Sequence, residues 1–235
     1  MSIAVLLLLW LAALAPPAGA VAAQLPAPPA VTDRQSGVVF PSALTPPGGG
    51  SRQQLMGTAT REVSLFRIKV YAYGLYVDAA AARTALGQFA NRPAAALDRD
   101  ASFFRSLLEM RFSMTLRLVM TRDVAGDMLG KTFDNALKPR VARVAGSKGA
   151  GGPQALQQFR GFFNLREVSR GMEIVFSCDN GGVLNTTVNG ESRPQIQSPA
   201  LCWALFDVYL GDKPVSVSGR RNLVGGFPAL LAGSR

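Results

Sequence analysis

Hydrophobic and polar residues alternate through residues 61–77, and this alternation predicts a β-strand, with a bulge or turn near Phe66 as the alternative. Every second residue from Arg61 onward forms one set, which includes Tyr71. The intervening set includes Phe66 and Ile68, and we expect this set to face the core. The first set places cations and phenols in line with aliphatic side chains, which raises the question of what these polar groups bind.

A second alternating stretch, residues 111–121, predicts a half-buried strand with one large apolar face. That face holds Phe112, Met114, Leu116, Leu118 and Met120. The opposite face carries Ser, Thr and Arg residues and is interrupted by Val119. Because methionine is flexible and polarizable, this apolar face is soft.

Apolar residues at three- and four-residue steps predict helices between and after these strands. We expect helices at residues 79–87, 102–109, 122–144, 154–163 and 198–211, and a hairpin at 171–188. Pro139 disfavours helical geometry at Lys138, which predicts a kink or a break at that point. The order of elements is strand, helices, strand, two helices, hairpin and helix. This order predicts an antiparallel α+β domain with its helices gathered on one face of a sheet.

The first fifth of the chain predicts targeting and linker segments. Residues 1–20 combine an apolar core of about a dozen residues with a small-x-small site, which is typical of a cleaved export signal. That core is shorter than the roughly 20 residues of a membrane span, so we expect no stable span in the mature protein; a retained anchor is the less favoured alternative. Residues 21–55 are rich in Pro, Gly, Ala and Ser and are expected to form a linker or a transit region. The folded domain is therefore predicted at residues 56–235.

The composition excludes several kinds of site, because the chain contains no His and two Cys. Without imidazole there is no Ser-His or Cys-His nucleophile and no His-based metal site. Two thiols do not complete a zinc site either, so we expect neither a metal nor a cofactor. Cys178 and Cys202 are expected to be buried free thiols, with a disulfide as the alternative if the chain is exported.

The net charge of +10 favours anionic partners. Lys and Arg are nevertheless scattered over the whole domain, and their one local cluster, residues 138–148, lacks interleaved aromatic residues. We therefore expect no nucleic acid partner. Anionic small molecules or lipids are the expected partners of a monomeric domain.

Five segments resemble the chalcone isomerase-fold proteins: "YAYGLYVD", "KTFDNAL", "GMEIVFS", "VLNTTVNG" and "IQSPALCWALFDVYLGDKPVS". The resemblance runs from Met56 to Asp212 in the family's order, and the last segment is long enough to be highly specific. Within that superfamily the chain is most similar to the plant and algal plastid fatty-acid-binding branch. The resemblance implies a large antiparallel sheet covered on one face by helices, with a ligand cleft between the layers.

The resemblance also implies a binding site for the carboxylate of a fatty acid. The family's Arg on the first core strand matches Arg61, and Tyr71 stands where the isomerases have Thr, a substitution typical of the fatty-acid binders. Met128, Lys131 and Asn135 match a helix motif in which the isomerases carry Tyr at the first position. That Tyr helps to hold a water molecule at the substrate's ketone oxygen. A thioether donates no hydrogen bond, so Met128 argues against isomerase activity.

The acyl tail of such a ligand needs an apolar wall, for which we predict Met114, Leu116, Leu118, Met128 and Phe133. At about 0.8 kcal/mol per buried CH₂, a twelve-carbon tail contributes at most about 9 kcal/mol, which is enough for micromolar binding. Ser198 falls near the position of a hydroxyl residue in the isomerases and is the last of the predicted ligand contacts.

Two other functions stay open. The first is a chalcone–flavanone isomerase, an intramolecular lyase in which Arg61, Tyr71, Lys131 and Asn135 act on the substrate. The second is an accessory protein that binds a phenolic compound. The family implies a plastid location, reached through the N-terminal signal. Because the transit peptides expected of that branch are rich in Arg and Ser, the secretory pathway is the alternative location.

Overall fold

An antiparallel sheet forms the centre of a computed structural model of the chain, which describes residues 29–63, 66–149 and 151–233. The strands of this part are β1 (Ala30–Thr32), β2 (Val39–Pro41), β3 (Ala43–Leu44), β4 (Gln53–Val63), β5 (Ile68–Val77), β6 (Met114–Met120), β7 (Val124–Ala125), β8 (Glu167–Val168), β9 (Glu173–Cys178), β10 (Val183–Val188), β11 (Glu191–Ser192) and β12 (Ile196–Gln197). Neighbours in the main sheet follow the order β11-β10-β9-β6-β5-β4-β3, and β12 also pairs with β10. Two short ladders, β1 with β2 and β7 with β8, stand outside it.

The helices pack their apolar side chains with those of the sheet into one large core. They are α1 (Ala79–Leu86), α2 (Ala94–Leu97), α3 (Ala101–Leu108), α4 (Gly126–Val144), α5 (Gly152–Gly161), α6 (Pro199–Leu210), α7 (Val217–Leu223) and α8 (Phe227–Leu231). The core contains residues of β5, β6 and β9 together with the apolar faces of α3, α4, α5 and α6. The predicted antiparallel α+β class is confirmed.

The alternating stretch at residues 61–77 forms two strands and not one. The chain turns between Val63 and Ile68, and Arg67 in this turn has a left-handed φ of 52°. β4 and β5 therefore pair as an antiparallel hairpin, in which Arg61 lies opposite Tyr71. Alternation alone does not locate this turn, because the strands on either side of it have the same period of two.

The two faces of β5 are also occupied differently from the prediction. Tyr71, Tyr73 and Leu75 enter the large core. Ala72 and Tyr76 belong to the other set and pack in a smaller cluster with Phe40, on the other face of the strand. The set containing Phe66 and Ile68 was expected to face the main core, and this expectation is wrong: Phe66 is 87% exposed. The large aromatic rings go where the helices provide the larger apolar volume.

Residues 30–55 are folded, which corrects the predicted linker. β1, β2 and β3 lie in this segment, and Phe40 of β2 is fully buried beneath the sheet. Asp33 accepts hydrogen bonds from the hydroxyls of Thr58 at 3.1 Å and Thr60 at 2.6 Å, which ties the segment to β4. One buried aromatic residue and one buried carboxylate thus anchor a segment whose composition is that of a linker. The predicted export signal, residues 1–20, lies outside the described residues.

α4 continues through Pro139 to Val144, so of the kink or break predicted at Lys138 the break does not occur. A proline removes one hydrogen bond to the carbonyl four residues earlier, here that of Asn135. Both Asn135 and Pro139 lie on the exposed side of α4, where water can bind the freed carbonyl. Within the described residues, no helix is both long and apolar enough to cross a membrane.

A disulfide joins Cys178 at the end of β9 to Cys202 in the first turn of α6, with the Cα atoms 6.0 Å apart. The expectation of free thiols is therefore wrong. Their separation of 24 residues carries no information about distance, which is set by α6 crossing the end of the sheet. The predicted start and end of α6 are confirmed: Ser198 caps Leu201 N, and the helix ends before Gly211.

Candidate functional site

Arg61 and Tyr71 are direct cross-strand partners on β4 and β5. Side chains at such positions have Cβ atoms roughly 5 Å apart and share one face of the sheet. A β-bulge follows immediately between Arg61 and Glu62, where the ladder shifts its register. The guanidinium is fixed from the other side, because Arg61 Nη1 donates a hydrogen bond to the carbonyl oxygen of Val215 at 2.5 Å. The hairpin therefore brings together two groups separated by ten positions in the sequence.

Tyr71 belongs to a cluster of three phenols. The hydroxyl oxygens of Tyr71 and Tyr209 are 3.1 Å apart. The ring of Tyr73 lies 5.9 Å from that of Tyr71 and 4.9 Å from that of Tyr209, measured between centroids. Gly219 makes room for this cluster, because a Cβ at that position would approach within 2.0 Å of the Tyr73 hydroxyl.

The electrostatics of the cluster keep its phenols protonated. Burial raises the pKa of Tyr71, and the hydrogen bond with Tyr209 and the charge of Arg61 oppose this rise only in part. Burial also raises the pKa of Tyr209 well above its ordinary value, and the neighbouring Tyr71 raises it further. When Tyr209 donates its proton to the Tyr71 oxygen, the hydroxyl proton of Tyr71 is free for a ligand. The site therefore combines a permanent cation with a neutral hydrogen-bond donor.

These two residues line a cleft of about 400 Å³ between the β4–β5 hairpin and the start of α4. This volume falls within the range of roughly 300–1,000 Å³ that is common for small-molecule sites. The remaining wall is mostly apolar and includes Val63, Val70 and Leu129. Arg122 and Asp123 add one charge of each sign. The other lining residues are Val124, Ala125, Met128 and Thr132. We call this space the hairpin cleft.

The predicted tail wall on β6 does not line the hairpin cleft. Met114, Leu116 and Leu118 are fully buried in the main core, where they pack between the sheet and the helices. Phe133 is also in the core and stacks on Phe163, with 5.0 Å between the ring centroids. The apolar face of β6 is thus occupied by the protein's own helices. For the tail, the hairpin cleft offers Val63, Val70, Leu129 and Met128.

The three predicted residues of α4 lie at different places on the surface of the helix and do not share one cleft. Met128 lines the hairpin cleft and is 61% exposed. Lys131 forms an exposed ion pair with Asp127, with 3.0 Å between Nζ and Oδ2, and borders a different depression. Asn135 is exposed one turn further along. The structure brings Met128 to Arg61 and Tyr71 but brings neither Lys131 nor Asn135 into the hairpin cleft.

Ser198 is a helix cap. Its hydroxyl oxygen accepts a hydrogen bond from the backbone N–H of Leu201 at 3.2 Å, and the residue is 2% exposed. It does not line the hairpin cleft. The local role of this serine is sufficient to explain its position in the sequence, because serine at the N-cap satisfies an otherwise unpaired donor of the first turn.

The sequence prediction missed Tyr209 and the hairpin residues Val63 and Val70. Tyr209 lies inside the segment that carried the family resemblance, but its helix is apolar on every side, so periodicity indicates packing there. Val63 and Val70 lie on either side of the turn between β4 and β5, which alternation alone does not locate. Among the described residues, no group of three or more potential His, Cys, Asp or Glu ligands is arranged for a metal ion.

Comparison with known proteins identifies a family that includes both of the activities considered above. The family described as chalcone isomerase like matches residues 51–224. A fatty-acid-binding protein 1 from Arabidopsis thaliana is 28% identical over 200 residues, which cover 83% of this chain and 69% of that protein. A chalcone–flavanone isomerase from Hordeum vulgare is 30% identical over 209 residues, which cover 84% and 89% of the two chains.

The fold is similar to a solved structure from the same family. The crystal structure of a fatty-acid binding protein from Arabidopsis thaliana superposes with a TM-score of 0.73 at 26% sequence identity. The match covers 86% of this chain and 99% of the other.

Proposed function

The chain belongs to the chalcone isomerase-like family, and from that premise we propose that it binds a fatty acid without transforming it. One observation carries the proposal: Arg61 and Tyr71 stand opposite each other on a hairpin and line the same largely apolar cleft. A cation and a hydrogen-bond donor beside apolar walls suit a molecule with one carboxylate and a hydrocarbon tail. The similarity to fatty-acid-binding proteins supports the same ligand class.

In the proposed complex, the carboxylate of the ligand lies between Arg61 and Tyr71. The guanidinium supplies parallel N–H donors that match the geometry of a carboxylate, and its charge is independent of pH in the physiological range. Tyr71 supplies one O–H donor. Because Tyr71 is buried and Arg61 is held by Val215, neither group loses much conformational freedom on binding.

The tail of the ligand lies along Val63, Val70, Leu129 and Met128 in the proposed complex. Each methylene removed from water contributes about 0.8 kcal/mol. Met128 is suited to the mouth of the cleft because its flexible thioether can adjust to tails of different length. The exposed side chain of Met128 becomes covered when the ligand binds.

Chalcone–flavanone isomerase activity is the second candidate, favoured by the 30% identity with the barley enzyme. That reaction develops negative charge on a ketone oxygen and needs a donor there. Met128 has no donor, and Lys131 is engaged by Asp127 outside the cleft. We therefore rank this activity second.

Two measurements on the purified mature chain separate the candidates. We expect native mass spectrometry to detect co-purified acyl chains, and we expect added chalcone to lose its absorbance no faster than it does spontaneously. Rapid, protein-dependent bleaching of chalcone would instead establish the isomerase. Absence of acyl chains together with retention of a phenolic compound would favour the accessory binding protein.

We also propose that the mature chain works in a plastid compartment reached through the N-terminal signal, with the secretory pathway as the alternative. The Cys178–Cys202 disulfide favours an oxidising compartment, which the secretory pathway provides, so this observation supports the alternative. A fluorescent protein fused to the C-terminus of the full chain tests the proposal, because plastid fluorescence supports it and endoplasmic reticulum fluorescence establishes the alternative.

A further inference from the structure

A second cleft, of about 480 Å³, lies between α5 and the segment that joins β11 to β12. It shares no lining residue with the hairpin cleft. Phe162, Leu165 and Ile196 contribute apolar wall, and Arg193 contributes the one charged side chain. We call this space the α5 cleft. Its volume, like that of the hairpin cleft, is within the range of small-molecule sites.

Arg193 has few hydrogen-bond acceptors for a largely buried cation. Its side chain is 20% exposed, and its one ion pair among the described residues joins Nη1 to Glu191 Oε2 at 3.3 Å. The Nε atom is buried and has no hydrogen-bond partner within the described part of the chain. A guanidinium carries five N–H donors, and a desolvated cation with so few acceptors gains strongly from an added anion.

Glu191 is a weak competitor for that position. Its side chain is 75% exposed, so water screens the ion pair and the carboxylate can move away at little cost. The backbone of Arg193 is fixed, because its N–H donates to the Thr186 carbonyl oxygen at 2.8 Å. The backbone that carries the cation is therefore fixed beside the cleft, while the counterion is free to leave.

The polar groups of the α5 cleft other than Arg193 are the side-chain amides of Gln158 and Asn164. Both residues are exposed and neither carries a charge, so they can donate hydrogen bonds to an anion without repelling it. No carboxylate lines the cleft. The lining thus offers one positive charge, two neutral donors and an apolar wall.

We propose that the α5 cleft is a second binding site for a monoanionic amphiphile, with the carboxylate on Arg193 and the hydrocarbon on Phe162, Leu165 and Ile196. A single charge beside an apolar wall favours a fatty acid over a phosphate or a nucleotide, which need several cations. This site does not depend on the hairpin cleft, so a fully loaded chain carries two acyl chains.

Carbon NMR with laurate labelled at the carboxyl carbon tests the proposal, because each bound carboxylate gives its own signal. We expect two bound signals in the wild-type chain, one in Arg193→Gln, one in Arg61→Gln and none in the double variant. Arg166→Gln is the matched control, since Arg166 is exposed and lines neither cleft. Thermal melts of all variants report whether the fold is retained.

The signals separate the two sites. Two signals that persist in Arg193→Gln overturn the second site, as does a single wild-type signal that only Arg61→Gln abolishes. A single signal lost in Arg193→Gln and kept in Arg61→Gln leaves the α5 cleft standing and removes the headgroup assignment of the hairpin cleft. A wild-type chain without any bound signal overturns both.

Glu191→Gln tests the same proposal through an expected gain in laurate binding and not a loss. Removing the competing carboxylate should strengthen laurate binding at the α5 cleft by up to about fivefold, the factor that corresponds to an exposed ion pair. A purely structural Arg193–Glu191 pair predicts no gain. Unchanged or weaker laurate binding in Glu191→Gln would contradict the proposal.

Discussion

At the scale of single residues, the proposed headgroup site combines a fixed charge with a hydroxyl donor that is itself hydrogen-bonded. Arg61 supplies the charge, and Val215 fixes its guanidinium. Tyr71 supplies the proton, and Tyr209 holds the Tyr71 oxygen from behind. Hydrogen bonds in a chain polarise one another in a low-dielectric interior, so a donation from Tyr209 makes Tyr71 a better donor to the carboxylate.

Tyr209 is therefore expected to affect the headgroup without touching it. Tyr209→Phe keeps the ring that packs on Tyr73 and removes the hydroxyl that meets Tyr71. A neutral hydrogen bond contributes about 1 kcal/mol, so we expect laurate affinity to fall about fivefold, as measured by calorimetric titration.

Dodecanol is the control ligand for Tyr209→Phe, because it has the same tail and no charge. Its affinity should change less than that of laurate. An equal loss for both ligands would show that Tyr209 merely supports the shape of the cleft. This result would contradict the expected effect of Tyr209 on the Tyr71 hydroxyl.

At the scale of elements, the segment from β1 to β3 is attached to the sheet through Asp33. Burial alone would raise the pKa of this carboxyl, but hydrogen bonds from Ser36, Thr60 and Thr58 more than compensate, and the net pKa is lowered. A carboxyl with a lowered pKa stabilises the folded state at pH values above its ordinary pKa of about 3.9. That stabilisation is lost as the pH falls from there through the folded-state pKa.

Asp33→Ala should lower the free energy of unfolding at pH 7 by about 2 kcal/mol, because it leaves Thr60 without its buried partner. Urea unfolding at a series of pH values measures this difference. We expect the difference between wild type and variant to shrink below about pH 4. A difference that stays constant down to pH 2 would contradict the assigned role of the ionised carboxylate.

The disulfide ties β9 of the sheet to α6, the helix that carries Tyr209. Replacing Cys178 and Cys202 together by Ala should lower the free energy of unfolding by about 3 kcal/mol, since the unfolded chain loses a cross-link that closes a loop of 24 residues. Guanidinium unfolding of the double variant and of the reduced wild type gives the value. Equal stability of the oxidised and reduced wild type would contradict this role.

At the scale of the whole molecule, the features that the sequence predicted correctly are those set by residues close together in the chain. α6 was predicted at both ends because Ser198, Pro199 and Gly211 act locally on the helix backbone. The hairpin of β9 and β10 followed from its two β-branched runs and the Gly-rich turn between them.

Features that depend on distant contacts were not predictable in this way. The strands before Gln53 owe their order to Phe40 and Asp33, whose partners lie on β4 and β5. The disulfide depends on how α6 crosses the sheet. Arg61 and Tyr71 were named together by family resemblance, but their pairing across β4 and β5 arises from a turn that alternation alone does not locate. The apolar face of β6 was assigned to the ligand because hydrophobicity alone does not distinguish a cleft wall from a core.

The organisation of the molecule places its two clefts on separate elements. One is formed by the β4–β5 hairpin with α4, and the other by α5 with the segment between β11 and β12. The proposal that Arg61 binds the carboxylate concerns the hairpin cleft. A test of this proposal must exclude laurate bound at the α5 cleft. Arg193→Gln provides a background in which the hairpin cleft is measured alone.

Titration calorimetry of laurate in that background, with Arg61→Ala, Arg61→Lys and the control Arg166→Ala, tests the claim most directly. We predict that Arg61→Ala weakens laurate binding at least tenfold while the fold is retained, as expected on losing a charge-assisted pair of roughly 1.5–3 kcal/mol. Arg61→Lys should lie between wild type and Arg61→Ala, because an ammonium keeps the charge but not the paired donors. Laurate affinity that is the same in Arg61→Ala, Arg166→Ala and the parent would contradict the claim that Arg61 binds the carboxylate.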